Sequence, residues 1–177
     1  MANNTTESQP YTLIRKEKEF EIRYYPASTV AMVSSPAKNY KELSGTSFRK
    51  LAGYIFGGNR EKKSIAMTTP VHLDIHQEGS SMAFVMPSNL HEKELPSPND
   101  PNVMIKSIAD EYVAAIRFSG FASDESIRKH SEYLKNALVE AGIDYSGHFR
   151  FLGYNPPYQL FGRRNEIIVK VKGDFIS

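Results

Sequence analysis

One feature constrains this chain more than any other: the spacing of its apolar residues changes from strand-like to helix-like, and the change happens twice. From Tyr11 to Glu17, from Phe20 to Tyr25 and from Ser28 to Ser35 the residues read as short strands, with a charged turn at Lys18-Glu19 and a stop at Pro36. Between Asn39 and Phe56 the apolar residues Tyr40, Leu43, Phe48, Leu51, Ala52 and Ile55 recur at threes and fours, the stripe of an amphipathic helix. Gly57-Gly58-Asn59 stands where that helix needs a stop. Ser64 to Ile75 reads as a strand broken at Pro70, with Met82 to Met86 as its partner. After the proline-rich stretch from Ser88 to Asn102 the order recurs. Strands are expected at Val103 to Ala109 and Tyr112 to Phe118, a helix at Asp124 to Ala141 behind the N-cap Ser123, and strands at His148 to Tyr154 and Glu166 to Val171.

Residue pairs follow the same division. A shift of 83 positions sets Ile22 on Ile105, Val30 on Val113, Ala31 on Ala114 and Val33 on Ile116, and a shift of 86 sets Leu51 on Ala137, Ala52 on Leu138 and Pro70 on Pro156. The expectation is one domain over residues 1–177, with internal repeats over about 11–87 and 103–172 and a frayed, disordered segment at 1–10. The fold class is α+β. Two half-cores, each incomplete alone, pair their sheets into a twisted, barrel-like body with one helix per half outside, leaving clefts between helix and sheet.

Composition removes several functional classes. The chain has no cysteine, which excludes thiolate metal sites, disulfides and a cysteine nucleophile. Its 22 basic and 20 acidic residues leave a net charge of +2, too little for a uniform field toward nucleic acid or an anionic membrane. The polar start MANNTTESQP has no apolar core of a secretory signal, and no run of about 18 apolar residues offers a membrane span. A soluble, cytoplasmic protein is the expectation, although a chain trimmed of a leader would read the same. No G-x-S-x-G elbow, phosphate loop, G-x-G-x-x-G or HExxH motif is present, so the chain is expected not to be an enzyme.

Four stretches carry a resemblance. Glu21 to Ala27 (EIRYYPA), Lys63 to Val71 (KSIAMTTPV), Gly153 to Leu160 (GYNPPYQL) and Gly162 to Lys170 (GRRNEIIVK) are similar to signatures of the SOUL and p22 haem-binding protein family. The resemblance extends from about Tyr11 to Lys172. It implies a distorted antiparallel β-barrel of eight or nine strands built from a pseudo-twofold repeat and flanked by two α-helices. It also implies reversible, non-covalent binding of haem or another tetrapyrrole in a hydrophobic cleft beside the first helix.

A metalloporphyrin is a flat apolar plate with two carboxylates at one edge, so it needs an apolar wall and a cation, with an axial ligand optional. Phe48, Leu51, Ala52 and Ile55 can form the wall, and Arg49, with Lys50, Arg60, Lys62 and Lys63, the cationic rim. The bland alternative is that the helical stripe is simply core. Tyr24 stands where some family members carry histidine, and Met67 is a soft donor; as ordinary residues the first is a strand tyrosine and the second a core gap-filler, and the axial ligand stays open. Arg163 and Arg164 offer an anion contact, or alternatively cap a turn and pair with Glu166.

No metal site is expected. His72 and His76 flank Asp74, but residues four apart on a strand are separated by about 13 Å, which favours a solvated polar face; His91, His130 and His148 have no partner at metal spacing. Two other classes stand beside a tetrapyrrole carrier or buffer. One is an effector-sensing or protein-interaction module, since the implied barrel is similar to ligand-binding domains of bacterial drug-responsive regulators. The other is an enzyme acting on a tetrapyrrole or small amide through Tyr24 or Glu166.

Overall fold

The computed structural model describes residues 6–155 and 159–174. The Asn39 side chain accepts from the Glu42 backbone N–H at 2.9 Å and so opens helix α1 (Tyr40–Ile55). At the far end Gly57 turns the chain out of the helix at φ 107°, and the Gly58 N–H donates to the Gly53 carbonyl at 2.8 Å. A Cβ on Gly58 would stand 2.5 Å from that oxygen, so this close approach requires glycine. Helix α2 (Asp124–Glu140) begins with a reciprocal capping box between Ser123 and Ser126. Ala141, the expected last residue of this helix, is its exposed C-terminal cap.

The strands are β1 (Glu7–Ser8), β2 (Thr12–Lys16), β3 (Glu21–Tyr25), β4 (Ser28–Ser35), β5 (Thr68–Thr69), β6 (Val71–Asp74), β7 (Ser80–Val85), β8 (Val103–Ile108), β9 (Glu111–Phe118), β10 (Tyr145–Gly153) and β11 (Asn165–Val171). Pro70 separates β5 from β6 as its missing N–H demands, and the Thr69–Pro70 peptide is cis. In the proline-rich connection Glu92–Glu94 form one 3-10 turn, and the Tyr54 hydroxyl donates to the Pro96 carbonyl at 2.7 Å, which ties the loop to α1. β1 pairs in parallel with β5, so this part of the N-terminal segment is held down; residues 1–5 lie outside the described residues.

The other nine strands form one sheet in the order β2-β3-β9-β11-β10-β6-β7-β4-β8, with every neighbouring pair antiparallel. Set β2 aside and the order reads alike from both ends. β6, β7 and β4 are followed outward by β8 from the second half of the chain, while β10, β11 and β9 are followed by β3 from the first. Each half therefore lends its first strand to the other.

Hydrogen bonding among the described residues does not close the sheet into the expected barrel: β2 and β8 are its two edges. Most of β8 is exposed, with only Val103 buried, as befits an edge facing solvent. Of the matched pairs, Val30 with Val113 and Leu51 with Ala137 fall on β4 with β9 and on α1 with α2; Pro156 lies outside the described residues.

α1 packs on β4 and β7, and α2 on β9 and β11. The main core fills the space under them, with Leu43, Leu51 and Ile55 of α1 and Leu134, Ala137 and Leu138 of α2 against Ala31, Val33, Met82, Phe84, Ala114, Ile167 and Val169. Among the described residues the opposite sheet face carries no helix. It still buries a second cluster of Tyr25, Val113, Ala115, Leu152 and Ile168.

These contacts give opposite expectations for two neighbouring glycines. Gly53→Ala, with nothing within 4 Å of its Cβ, should raise stability by about 0.5–1 kcal/mol through helix propensity. Gly58→Ala should lower it by about 1–3 kcal/mol through overpacking against backbone. Urea unfolding midpoints of the two variants check both signs.

Candidate functional site

On the helix-free face of the sheet the most buried polar group is Glu166 of β11, with no exposure to solvent. Arg23 of β3 reaches across β9 and donates to both of its oxygens, at 2.8 and 2.7 Å. The Tyr154 hydroxyl donates to Glu166 at 2.7 Å, and Arg164 adds a third cationic contact at 2.9 Å. Burial alone would raise the carboxyl, but the Arg23 hydrogen bonds and charge, with those of Tyr154 and Arg164, hold it below its usual range. Burial and the neighbouring carboxylate push the Tyr154 phenol upward. Arg23 also lies 4.3 Å over the Tyr11 ring and Arg164 4.1 Å over Tyr154, so aromatic faces cover both guanidinium groups. Glu166 is locked as an anion between fixed cations, which leaves it no proton to trade and no open side for a ligand.

Beside this network two contiguous clefts open, of about 200 and 300 Å³. The smaller lies where the pairing of β6 with β10 meets the β3–β4 and β8–β9 connections, and its walls include Tyr25, Met32, His72, Asp74, Glu111 and Arg150. The larger runs between the N-terminal segment and the strand ends, past Pro10, Thr68, Met86, Leu90 and Ser107. Gln9, Pro26, Ser28, Val85 and Ile108 belong to both. No residue of α1 or α2 lines either cleft, so these openings are not the helix–sheet clefts expected from layer packing.

Inside the smaller cleft Arg150 donates to both Glu111 oxygens at 2.9 Å. His72 Nε2 is 2.7 Å from Gln9 Oε1 and donates to it. Burial first, and then the Arg150 charge, push the imidazole down to about 3, so it is neutral at ordinary pH. The expectation of a solvated face for His72 is thereby corrected. Alternation along β6 correctly set His72 and Asp74 on one side, but that side is a cleft wall, and whether a polar face meets water or other strands is decided by the sheet's partners.

The residues expected to contact ligand do not converge on one spot. Leu51 and Ile55 point into the core at 0% and 1% exposure, while Phe48, Arg49 and Ala52 face outward or sideways from α1. Phe48 is 38% exposed and meets Phe84 edge-on at 5.4 Å; Phe56 at the helix end is 74% exposed. Met67 packs half-buried against the core near the end of α1, where the Ile65 N–H donates to the Ile55 carbonyl at 2.8 Å. Tyr24 lies on β3, separated from β7 and β4 under α1 by four and five intervening strands. Its hydroxyl donates to Asp110 at 2.8 Å, and that bond pushes the phenol upward, away from the tyrosinate that iron ligation needs. Arg163 lies 4.4 Å over Phe121 and donates to the Gln159 carbonyl at 2.9 Å, and Arg164 serves Glu166. The turn-and-pairing reading of these two arginines matches their contacts.

A third arrangement was not foreseen. Asp74, His76 and His148 bring one ligand atom each to within 4.8 Å of one another. His148 was read as partnerless because its neighbours come from another strand.

Comparison with known proteins then places the chain. A family model described as "SOUL heme-binding protein" matches residues 6–170. "Heme-binding protein 2" of Mus musculus is 29% identical over 157 residues, covering 84% of this chain and 76% of that one. "Heme-binding protein 1" of Xenopus laevis is 25% identical over 155 residues, with 84% and 81% covered. Among solved structures, the C-terminal domain of EcmrR superposes with a TM-score of 0.64 at 12% identity, covering 92% of this chain and 98% of that one. A hydrolase from Listeria innocua gives 0.62 at 9%, with 89% and 94% covered. At this identity the last two speak for the fold alone. No helix among the described residues is long and apolar enough to cross a membrane.

The neutral His72 yields a pH prediction. Its folded value of about 3 lies below the ordinary 6.5, so between these limits the unfolded chain binds the extra proton and stability rises with pH. The contribution is complete above about 6.5 and lost as the pH falls toward 3. His72→Gln should give a shallower fall in denaturation midpoint across that window, measured by chemical unfolding from neutral to acid pH.

Proposed function

We propose, from the premise that this chain belongs to the SOUL heme-binding protein family, that it is a carrier or buffer of haem or a related tetrapyrrole, bound non-covalently and without catalysis. The domain holds its ligand beside the first helix, along the flank of α1 that runs from the margin of the core to solvent. The observation that carries this placement is an apolar ridge in the open: Phe48, Ala52 and Phe56 follow one another at helical spacing, and both phenylalanines are exposed. Arg49, adjacent to Phe48, and Arg60, just beyond Phe56, are exposed cations suited to propionate groups. Leu51 and Ile55 support the ridge from beneath without touching ligand. The binding needs no axial ligand from Tyr24, whose phenol is committed to Asp110. The strand order, alike from both ends, supports reading the chain as one domain made of two diverged copies, about 11–87 and 103–172, curled toward a barrel.

A second reading, an effector-sensing module, is favoured by the clefts on the helix-free face, where apolar walls meet a neutral imidazole and the Glu111–Arg150 pair. A solved relative in fold carries tetraphenylphosphonium, with a TM-score of 0.55 at 11% identity.

Titrating the protein with haemin and with metal-free protoporphyrin separates the readings. The carrier reading expects saturable one-to-one binding of both, weakened at least about tenfold by Phe48→Ser with Phe56→Ser and unchanged by His72→Ala. Tyr24→Phe should leave the haemin absorbance spectrum as it was. Binding that is lost in His72→Ala and kept in the double phenylalanine variant moves the ligand to the clefts. No saturable binding of either porphyrin refutes the carrier.

A further inference from the structure

We infer that Asp74, His76 and His148 form a site for a divalent ion of the zinc class, at the outer end of the β6–β10 pairing and separate from the α1 ridge. Three independent features of the backbone converge there. First, β6 pairs with β10 so that Leu73 faces Phe151 and His72 faces Leu152, and beyond the end of that pairing the His76 and His148 rings lie side by side, 4.1 Å between centroids. Second, the β10 register shifts between Ser146 and Arg150, with Gly147 at φ 75°, an irregularity that re-aims the three residues it contains, His148 at their centre. Third, His76 is set by the tight turn into β7: its carbonyl accepts from Gly79 N–H at 3.2 Å and its own N–H donates to Ser80 Oγ at 3.4 Å.

The electrostatics leave this group wanting a cation. Arg150 is committed to Glu111 through both carboxylate oxygens. Asp74 Oδ1 is shut from solvent and makes no hydrogen bond among the described residues, although His148 Nδ1 lies 3.3 Å away. That separation is the one expected of two ligands about 2.0–2.1 Å from a tetrahedral zinc ion, which stand about 3.3–3.4 Å apart. The two imidazole rings lie 4.1 Å apart between centroids, tilted by 34°, and each has a ring nitrogen within 4.8 Å of the other's and of an Asp74 oxygen. Two imidazoles and a carboxylate suit zinc, cobalt or nickel, while calcium and magnesium prefer oxygen alone. His148 is 52% exposed, so the fourth position opens to water.

The test uses the full chain without an affinity tag, titrated calorimetrically with zinc chloride and, for its tetrahedral absorption bands, with cobalt chloride. Saturable one-to-one zinc binding is expected, weakened at least about tenfold in His148→Ala and in Asp74→Asn and unchanged in His91→Ala. In the unaltered protein the ring resonances of His76 and His148 should shift together on zinc addition while those of His91 and His130 hold. The inference is overturned if zinc does not saturate one site, if binding survives His76→Ala with His148→Ala, if magnesium binds equally well, or if the two rings do not respond. Porphyrin binding by Phe48 and Phe56 is read in a separate titration, so either result stands without the other.

Discussion

The buried pairing of Arg23 with Glu166 is the constraint around which the sheet is organised. A carboxylate with no exposure is tolerable only with full compensation, and here it has two guanidinium groups and a phenol. Arg23 comes from the first half of the chain and Glu166 from the second, with β9 between them. The pair therefore demands one register of β3 on β9 and of β9 on β11. A slip by one residue would turn Arg23 to the helix side and strand a charge in each core. Removing one partner of such a pair costs about 3–5 kcal/mol, more than most single contacts in a domain of this size.

That register has consequences on both faces. On the helix side it aligns Ile22, Ala114 and Val169 under the main core. On the other side it gathers Tyr25, Val113, Ala115, Leu152 and Ile168 into a cluster with no helix above it, roofed in part by the Tyr11 ring 5.3 Å from Tyr25. The clefts lie at the margin of this roof, where strands lent by each half to the other come to an end. His72, Asp74, Glu111 and Arg150 are polar because they line that margin, and their partnerships decide the chemistry: Arg150 satisfies Glu111, His72 is neutralised, and Asp74 is left facing two histidines.

The helices were legible almost to the residue, because their signals are local: Ser123 as a cap, glycine after the first helix, apolar residues at threes and fours. Nine strand stretches were legible within a few residues, β5 and β6 among them as one strand broken at Pro70, while β1 falls in the segment expected to fray. The helix stripe, in contrast, misdirected part of the site. Leu51 and Ile55 satisfy the periodicity of a ligand wall and of a core stripe equally, and packing against Ala31 and Phe84 claimed them for the core. Phe48, about one turn before Leu51, lies at the edge of that stripe and remains 38% exposed.

By itself the sequence determined the α+β class, the helix ends and the likeness to one family, since each of these is written in spacing along a single segment or in a run of adjacent letters. Only the tertiary structure decided which strands are neighbours, and with that everything between segments: that β3 and β8 are exchanged between halves, that Arg23 finds Glu166, that His72 lines a cleft, and that His148 comes to Asp74 and His76. Strand pairing joins residues distant along the chain through backbone groups that every residue carries alike, so side-chain identity alone does not encode the partner; the register that buries the charges and fills both cores does.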